Sequence, residues 1–249
     1  MKVTILASGS TGNCIHIQSG NAGVLIDAGV PKTKIEKRMN EHGINPVTDV
    51  QAIFITHAHG DHIKGLPLAA KYKIPIYATD GEWKCIAEPD EKDGLVCPGK
   101  TFYRNSEGFS VTAFKVHHDA YEPVGYTVTD GEQKVSICLD TGKVDVEMIE
   151  AMRGSNIYII EANHDVDMLE QNEKYPGSVK ARILSEIGHL SNDQTADALR
   201  RMVKGTGERI FLTHLSSNNN MPALAEGTVR RALRQKGFEA GRHYHLEVV

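Results

Sequence analysis

A chain of 249 residues can bury a sizeable core, as one large domain or two small ones, and 40% hydrophobic with 24% charged residues is an ordinary globular composition. The formal charge of -4 excludes a uniformly basic nucleic-acid coat but leaves room for a local basic cleft. No apolar run approaches the roughly 18–20 residues of a membrane helix.

Taken in chain order, "MKVTILASGS" has a brief apolar stretch ahead of Gly and Ser, which reads as a first strand at 2–6 and not as a signal peptide. Further β-rich apolar runs lie at 14–17, 23–29, 52–57, 74–78, 110–118, 124–130, 134–140, 157–163 and 209–214, with a closing strand at "YHLEV". Helical patterns sit between them. "PKTKIEKRMNEHG" has Pro at its start and Gly at its end, "NDQTADALRRMVKG" offers an Asn or Asp cap and a closing Gly, and "PALAEGTVRRALRQKG" is punctuated in the same way. There is no internal repeat or low-complexity linker. Strands and helices mixed throughout predict an α/β sandwich, two mixed sheets with helices outside, as a single domain over 1–249.

Cys14, Cys85, Cys97 and Cys138 are scattered without a CxxC, which suits buried thiols in a reducing cytoplasm better than a disulfide framework or a zinc ribbon. Several strands finish in a residue able to bind a metal: Asp27, His57, His118, Asp140 and His214. Strands ending at one sheet edge would gather them. The centre of the set is "THAHGDH", with His57, His59, Asp61 and His62 as H-x-H-x-D-H. Residues two apart in an extended segment point the same way, so His57 and His59 can grip one ion, and after the turn at Gly60 Asp61 and His62 can serve a second. A polar loop before a helix is the bland reading, and four potential ligands within six residues outweigh it. Imidazole and carboxylate suit zinc or, with more oxygen, manganese. Asp27 is expected to support the loop from behind, and Cys138 to be packed, not coordinating. The small residues of "SGSTGNC" could form an anion nest in which Ser8, Ser10 and Asn13 touch phosphate, although glycine-rich hairpin turns look similar. Residue types alone do not choose between His117 and His118, nor between His189 and His214. His214 follows an apolar strand, whereas His189 follows a helical pattern and Gly188.

These motifs resemble the metallo-β-lactamase superfamily and, more narrowly, the bacterial YycJ/WalJ family of metal-dependent DNA exonucleases. The resemblance is carried by "LASGSTGNC", "LIDAG", "THAHGDHIKG", "HDAYEPVGY", "EANHDVDMLE", "YPGSVKARI", "GHLSN" and "THLSSNN", and it spans nearly the whole chain. It implies an αβ/βα fold and two divalent ions, zinc or manganese. One would be held by His57, His59 and His118 and the other by Asp61, His62 and His214, with Asp140 shared. It further implies a hydroxide bridging the ions and oriented by Asp61, with His189 assisting the leaving oxygen or contacting the phosphate and Glu161 orienting His189. Asn163, His164, Lys180, Arg182, Asn218 and Asn219 become substrate-side candidates. On composition alone Lys180 and Arg182 would be a solvated helix face. The implied activity is 5′→3′ exonucleolytic cleavage of DNA with a free end, single- or double-stranded, and the implied setting is DNA repair. A metallohydrolase of a small ester, thioester or phosphodiester, a ribonuclease, and a non-catalytic nucleic-acid binder are the competing readings. The stretch between Asp140 and His189 is too short for an inserted nuclease-specific domain.

Overall fold

The first 26 residues form an antiparallel meander of β1 (Lys2–Ala7), β2 (Cys14–Ser19) and β3 (Ala22–Ile26). Ser19 pairs with Ala22, so β2 and β3 are joined by Gly20 and Asn21 alone, and Gly20 takes the φ of 56° that so tight a hairpin demands. In the computed structural model, which describes residues 1–86, 94–105 and 109–249, the chain then changes to parallel pairing through helices. After α1 (Lys32–Glu41) comes β4 (Ile53–Phe54), and after α2 (Gly60–Ile63) and α3 (Pro67–Tyr72) comes β5 (Ile76–Ala78). The short α4 (Asp80–Trp83) and β6 (Gly94–Leu95) complete a mixed six-stranded sheet in the order β1-β2-β3-β4-β5-β6.

The second sheet begins with β7 (Thr101–Arg104), β8 (Ser110–Lys115), β9 (Val124–Thr129) and β10 (Lys134–Cys138). It continues through α5 (Val146–Met152), β11 (Ile157–Glu161), α6 (Val166–Gln171), α7 (Gly177–Ile183), α8 (Asn192–Met202), β12 (Glu208–Thr213), α9 (Pro222–Gln235) and β13 (Tyr244–Val248). Its order is β13-β12-β11-β10-β9-β8-β7. Helical crossovers make β10, β11, β12 and β13 parallel, in a register that pairs Ile137 with Ile159 and Ile159 with Phe211. All five residues of β11 are buried, as a strand covered on both faces requires.

The chain divides into two compact units, residues 1–113 with 120–124 and 128–132, and residues 114–119 with 125–127 and 133–249. Each has its own apolar core. In the first, Ile35 and Met39, four apart on α1, pack among Leu25, Ile53, Ile55, Leu68 and Trp83. In the second, Tyr158, Ile160 and Leu212 of the parallel strands pack with Leu199 and Met202 of α8 and with Val229 and Leu233 of α9. Each fully buried aliphatic side chain contributes about 1.5–3 kcal/mol.

Several expectations shift. The apolar run 52–57 keeps only Ile53 and Phe54 in the ladder, and the runs at 110–118 and 134–140 stop at Lys115 and Cys138. The four-residue β7 and two-residue β6 carry too few apolar residues to register as strands. The cap of α8 is Ser191, not Asn192 or Asp193. Its hydroxyl accepts from Gln194 N at 3.2 Å while Gln194 Oε1 accepts from Ser191 N at 2.8 Å, a reciprocal capping box.

Candidate functional site

In the first unit the chain leaves the ladder after β4 because Asp27 captures Thr56. Thr56 N donates to Asp27 Oδ1 at 2.8 Å and its hydroxyl to Oδ2 at 2.9 Å. Asp27 stands just past β3 at φ 59°, a left-handed conformation that aspartate tolerates better than most residues. Its burial raises its pKa against the charge and hydrogen bonds of His62 and Thr56. A carboxylate only accepts, so His62 Nδ1, 2.7 Å from Asp27 Oδ2, donates and the lone pair resides on Nε2. Because the Thr56 hydroxyl is donated to Asp27, it accepts from His57 Nδ1 at 3.1 Å, which leaves the His57 lone pair on Nε2 as well. His57 Nε2 and His59 Nδ1 then face each other at 3.0 Å, with rings inclined by 82°. Asp61 Oδ2 lies 3.7 Å from His62 Nε2. The buried Glu82 pins the loop at its middle, Oε2 accepting from Ala58 N and Oε1 from Glu122 N, each at 2.7 Å. Gly29 is obligatory here, since a Cβ on it would lie 1.6 Å from Asp61 O.

In the second unit the parallel strands deliver Asp140, Glu161 and His214 from their C-terminal ends. Asp140 follows β10 by two residues and His214 follows β12 by one, at φ 43° and 56°. Glu161 is fully buried and gathers four donors. Its Oε1 accepts from His189 Nδ1 at 2.6 Å and His214 Nδ1 at 2.9 Å, and its Oε2 from Thr141 N at 3.1 Å and Leu190 N at 3.3 Å. Asp140 Oδ1 lies 3.1 Å from His214 Nδ1 and Oδ2 lies 3.7 Å from His118 Nε2. His118 Nδ1 donates to Gly188 O at 3.1 Å, so its lone pair too is on Nε2. The His189 ring sits with centroids 5.1 Å from His118 and 5.4 Å from His214. One donor atom from each of Asp140, Glu161, His189 and His214 falls within 4.8 Å of the others. His117 turns away to Asp145 at 2.6 Å.

Electrostatics follow the geometry. Burial would raise Glu161, but the charge of His189 and the two imidazole hydrogen bonds bring it down to about 2. Burial alone would lower His189, yet the Glu161 carboxylate and its hydrogen bond hold it above the ordinary value. His118 is lowered by burial.

The substrate-side candidates fall differently. Asn13 is buried, with Nδ2 3.2 Å from His62 Nε2. The N–H groups of Gly9, Gly12 and Asn13 donate to Asn13 Oδ1, Gly9 O and Asp61 O, so the loop does not present them to an anion as a nest would. Ser8 is half-buried and Ser10 exposed. Asn163 Nδ2 donates to His214 O at 3.1 Å. Asn219 is buried and accepts from Asn172 Nδ2 at 2.5 Å, and Asn218 Nδ2 reaches Tyr175 Oη at 3.4 Å. These asparagines stitch loops together. His164 is buried, and neither ring nitrogen has a hydrogen-bond partner among the described residues. Lys180 Nζ donates to Glu170 O at 2.6 Å, and Arg182 Nε to Asp119 Oδ2 at 2.5 Å.

The donor set fits divalent ions. His57, His62 and His118 are each held by Nδ1 with the lone pair on Nε2, the arrangement by which proteins fix metal-binding imidazoles. Carboxylates supply the remaining donors. The thiols of Cys14 and Cys138 are fully buried and pushed far above their ordinary pKa by that burial. Cys85 and Cys97 are exposed and not buried as the sequence suggested, and among the described residues the groups that could hold a metal contain only His, Asp and Glu. Sequence reasoning missed Thr56, Glu82, the Gly188 carbonyl and the second hydrogen bond of Glu161. Thr56 had a signal, as the residue ahead of H-x-H; the others are tertiary contacts with no local pattern.

A family model described as the beta-lactamase superfamily domain matches residues 23–215. The chain is 37% identical over 251 residues to exodeoxyribonuclease YycJ of Bacillus anthracis, covering 98% of this chain and 93% of that protein. It is 36% identical over 248 residues to exodeoxyribonuclease WalJ of Streptococcus pneumoniae serotype 2 strain D39, covering 96% and 91%. Among solved structures, the metallo-beta-lactamase fold protein YhfI of Bacillus subtilis aligns with a TM-score of 0.72 at 17% identity, over 99% of this chain and 95% of that one. That likeness shows the fold, two mixed sheets flanked by helices.

Proposed function

The chain belongs to the beta-lactamase superfamily, in the family of the YycJ and WalJ exodeoxyribonucleases, and on that footing we propose a metal-dependent phosphodiesterase that degrades DNA from a 5′ end, in the cytoplasm and in DNA repair. The observation that carries this reading is the common orientation of the His57, His62 and His118 imidazoles, each with Nδ1 engaged by the protein and Nε2 carrying the lone pair. We assign one ion to His57, His59 and His118 and the other to Asp61, His62 and His214, with Asp140 shared, the ions being zinc or manganese. Residues 1–249 would then act as one hydrolase domain, a reading supported by a family match that runs through residues of both units.

Bound divalent ions supply charge to stabilise an attacked phosphoryl group and lower the pKa of a nucleophilic water. The protein supplies the rest. Asp61 orients the water and accepts its proton. Glu161 fixes the His189 tautomer and favours its imidazolium, which gives a proton to the departing oxygen. The cytoplasmic assignment draws on four cysteines that form no disulfide. Among the described residues no helix is long and apolar enough to cross a membrane.

The deciding experiment incubates the metal-loaded protein with 5′-phosphorylated linear DNA, 5′-blocked linear DNA, closed circular DNA, RNA and small esters. Stepwise loss from the 5′-phosphorylated DNA alone is expected. Equal cleavage of all three DNAs would overturn end recognition, and ester hydrolysis without cleavage of any nucleic acid would overturn the nuclease.

A further inference from the structure

Between Glu161 and His189 lies α7, and none of its seven residues is buried. A helix this short is not stable by itself in water and ordinarily persists by burying a face. Here Val179 is 38% exposed, and Leu184 and Ile187, just beyond the helix, are 43% and 50% exposed. Lys180 and Arg182 occupy the last turn, the helix contains no acidic residue, and the exposed Glu186 in the turn beyond it is paired with Lys143. Apolar side chains framed by cations complement a polyanion whose apolar bases are unstacked.

The C-terminal end of α7 is also tied to the site. His189 N donates to Ile183 O at 3.0 Å. Gly188 lies so close to the helix that a Cβ there would be 2.2 Å from the carbonyl oxygens of both Arg182 and Ile183, and its own carbonyl accepts from His118 Nδ1. Arg182 pairs with Asp119 Oδ2, while Asp119 Oδ1 lies 3.3 Å from His118 Nε2. The Arg182 side chain nevertheless remains 55% exposed, so its guanidinium can meet a second anion.

We propose that α7 and the turn through Ile187 take a single-stranded DNA end, with Val179, Leu184 and Ile187 against the bases and Lys180 and Arg182 on the backbone. The proposal rests on the nuclease reading and adds the strandedness of its substrate. In a duplex the bases are stacked on each other, and these apolar side chains meet only backbone, so single-stranded or frayed ends are preferred.

The test compares two variants of the full, metal-loaded chain, Leu184→Ser/Ile187→Ser and Lys180→Gln/Arg182→Gln, on 5′-phosphorylated single-stranded DNA, duplex DNA, RNA and bis(4-nitrophenyl) phosphate. Thermal melts confirm that each is folded. The apolar variant should lose about tenfold more kcat/KM on single-stranded DNA than on the small diester, and its preference over duplex should narrow. The charge variant should flatten the dependence of log affinity on log salt by about 0.7 for each phosphate contact removed. Equal losses on DNA and the small diester would mean that α7 only supports the fold of the site, and would overturn the proposal. Unchanged DNA kinetics and salt slope would overturn it while leaving the nuclease reading intact. Stronger cleavage of RNA with the same sensitivity would overturn the choice of DNA. Small-diester hydrolysis without cleavage of any nucleic acid would sink the nuclease reading itself.

Discussion

Glu161 binds two imidazoles with one oxygen, and that sharing separates the roles of the late histidines. His214 faces Asp140 as well, whereas His189 has its imidazole held by Glu161 and its ring between His118 and His214. His189→Ala should therefore keep both ions and lose about 10²–10⁴ of single-turnover cleavage, and His214→Ala should weaken the second ion. Metal titration beside single-turnover kinetics reads both, and the opposite pattern would reverse the assignment. His164 gives a different signature. Burial lowers its pKa from 6.5 to about 4, although the Glu161 carboxylate pulls the other way. The unfolded imidazole takes a proton below pH 6.5 that the folded one refuses until about 4, so this contribution is complete above pH 6.5 and is lost on acidification toward 4. The loss amounts to roughly 3 kcal/mol. Urea unfolding of metal-free His164→Ala at several pH values should show a slope shallower by up to one proton across that window. An unaltered slope would assign the acid sensitivity elsewhere.

At the scale of elements, α8 carries the clearest local device. Ser191 caps the helix two residues after His189, so its capping box also fixes where the loop 188–191 ends. Ser191→Ala should cost about 1 kcal/mol and lower Tm by about 2–4 °C, read by calorimetry, with the missing hydroxyl as the cause. Its S-x-x-Q pattern stood in the letters, yet Asn192 and Asp193 competed for the same position. Strands rich in Val and Ile were readable from their apolar runs, and H-x-H-x-D-H was readable because its ligands are local. β4 was overestimated since Asp27, remote in sequence, pulls Thr56 out of the ladder. Glu82 was invisible for a similar reason: its partners, Ala58 and Glu122, lie far along the chain on either side. In the glycine-rich turn at 8–13 the letters do not reveal that the N–H groups of Gly9, Gly12 and Asn13 already have protein acceptors.

At the scale of the whole molecule, every ligand proposed for the two ions is His or Asp. Elemental analysis under saturating metal should thus approach two divalent equivalents, and a stoichiometry that stays at one would overturn the binuclear assignment. Removing the ions with a chelator should lower Tm, since metal at a hundredfold excess over its Kd stabilises the folded state by about 2.7 kcal/mol. The parallel register of the second sheet also governs timing. Asp140 follows β10 and Glu161 ends β11, but His214 follows β12, which pairs with β13 as far as Leu212 with Val248. A ribosome therefore releases the carboxylates well before the strand that presents His214, and that strand gains its outer neighbour only when Val248 has emerged. Until residue 214 has emerged, the nascent polypeptide lacks one of its proposed metal ligands. The ligand set proposed for the two ions would therefore be completed only late in synthesis, once the chain through His214 has been made.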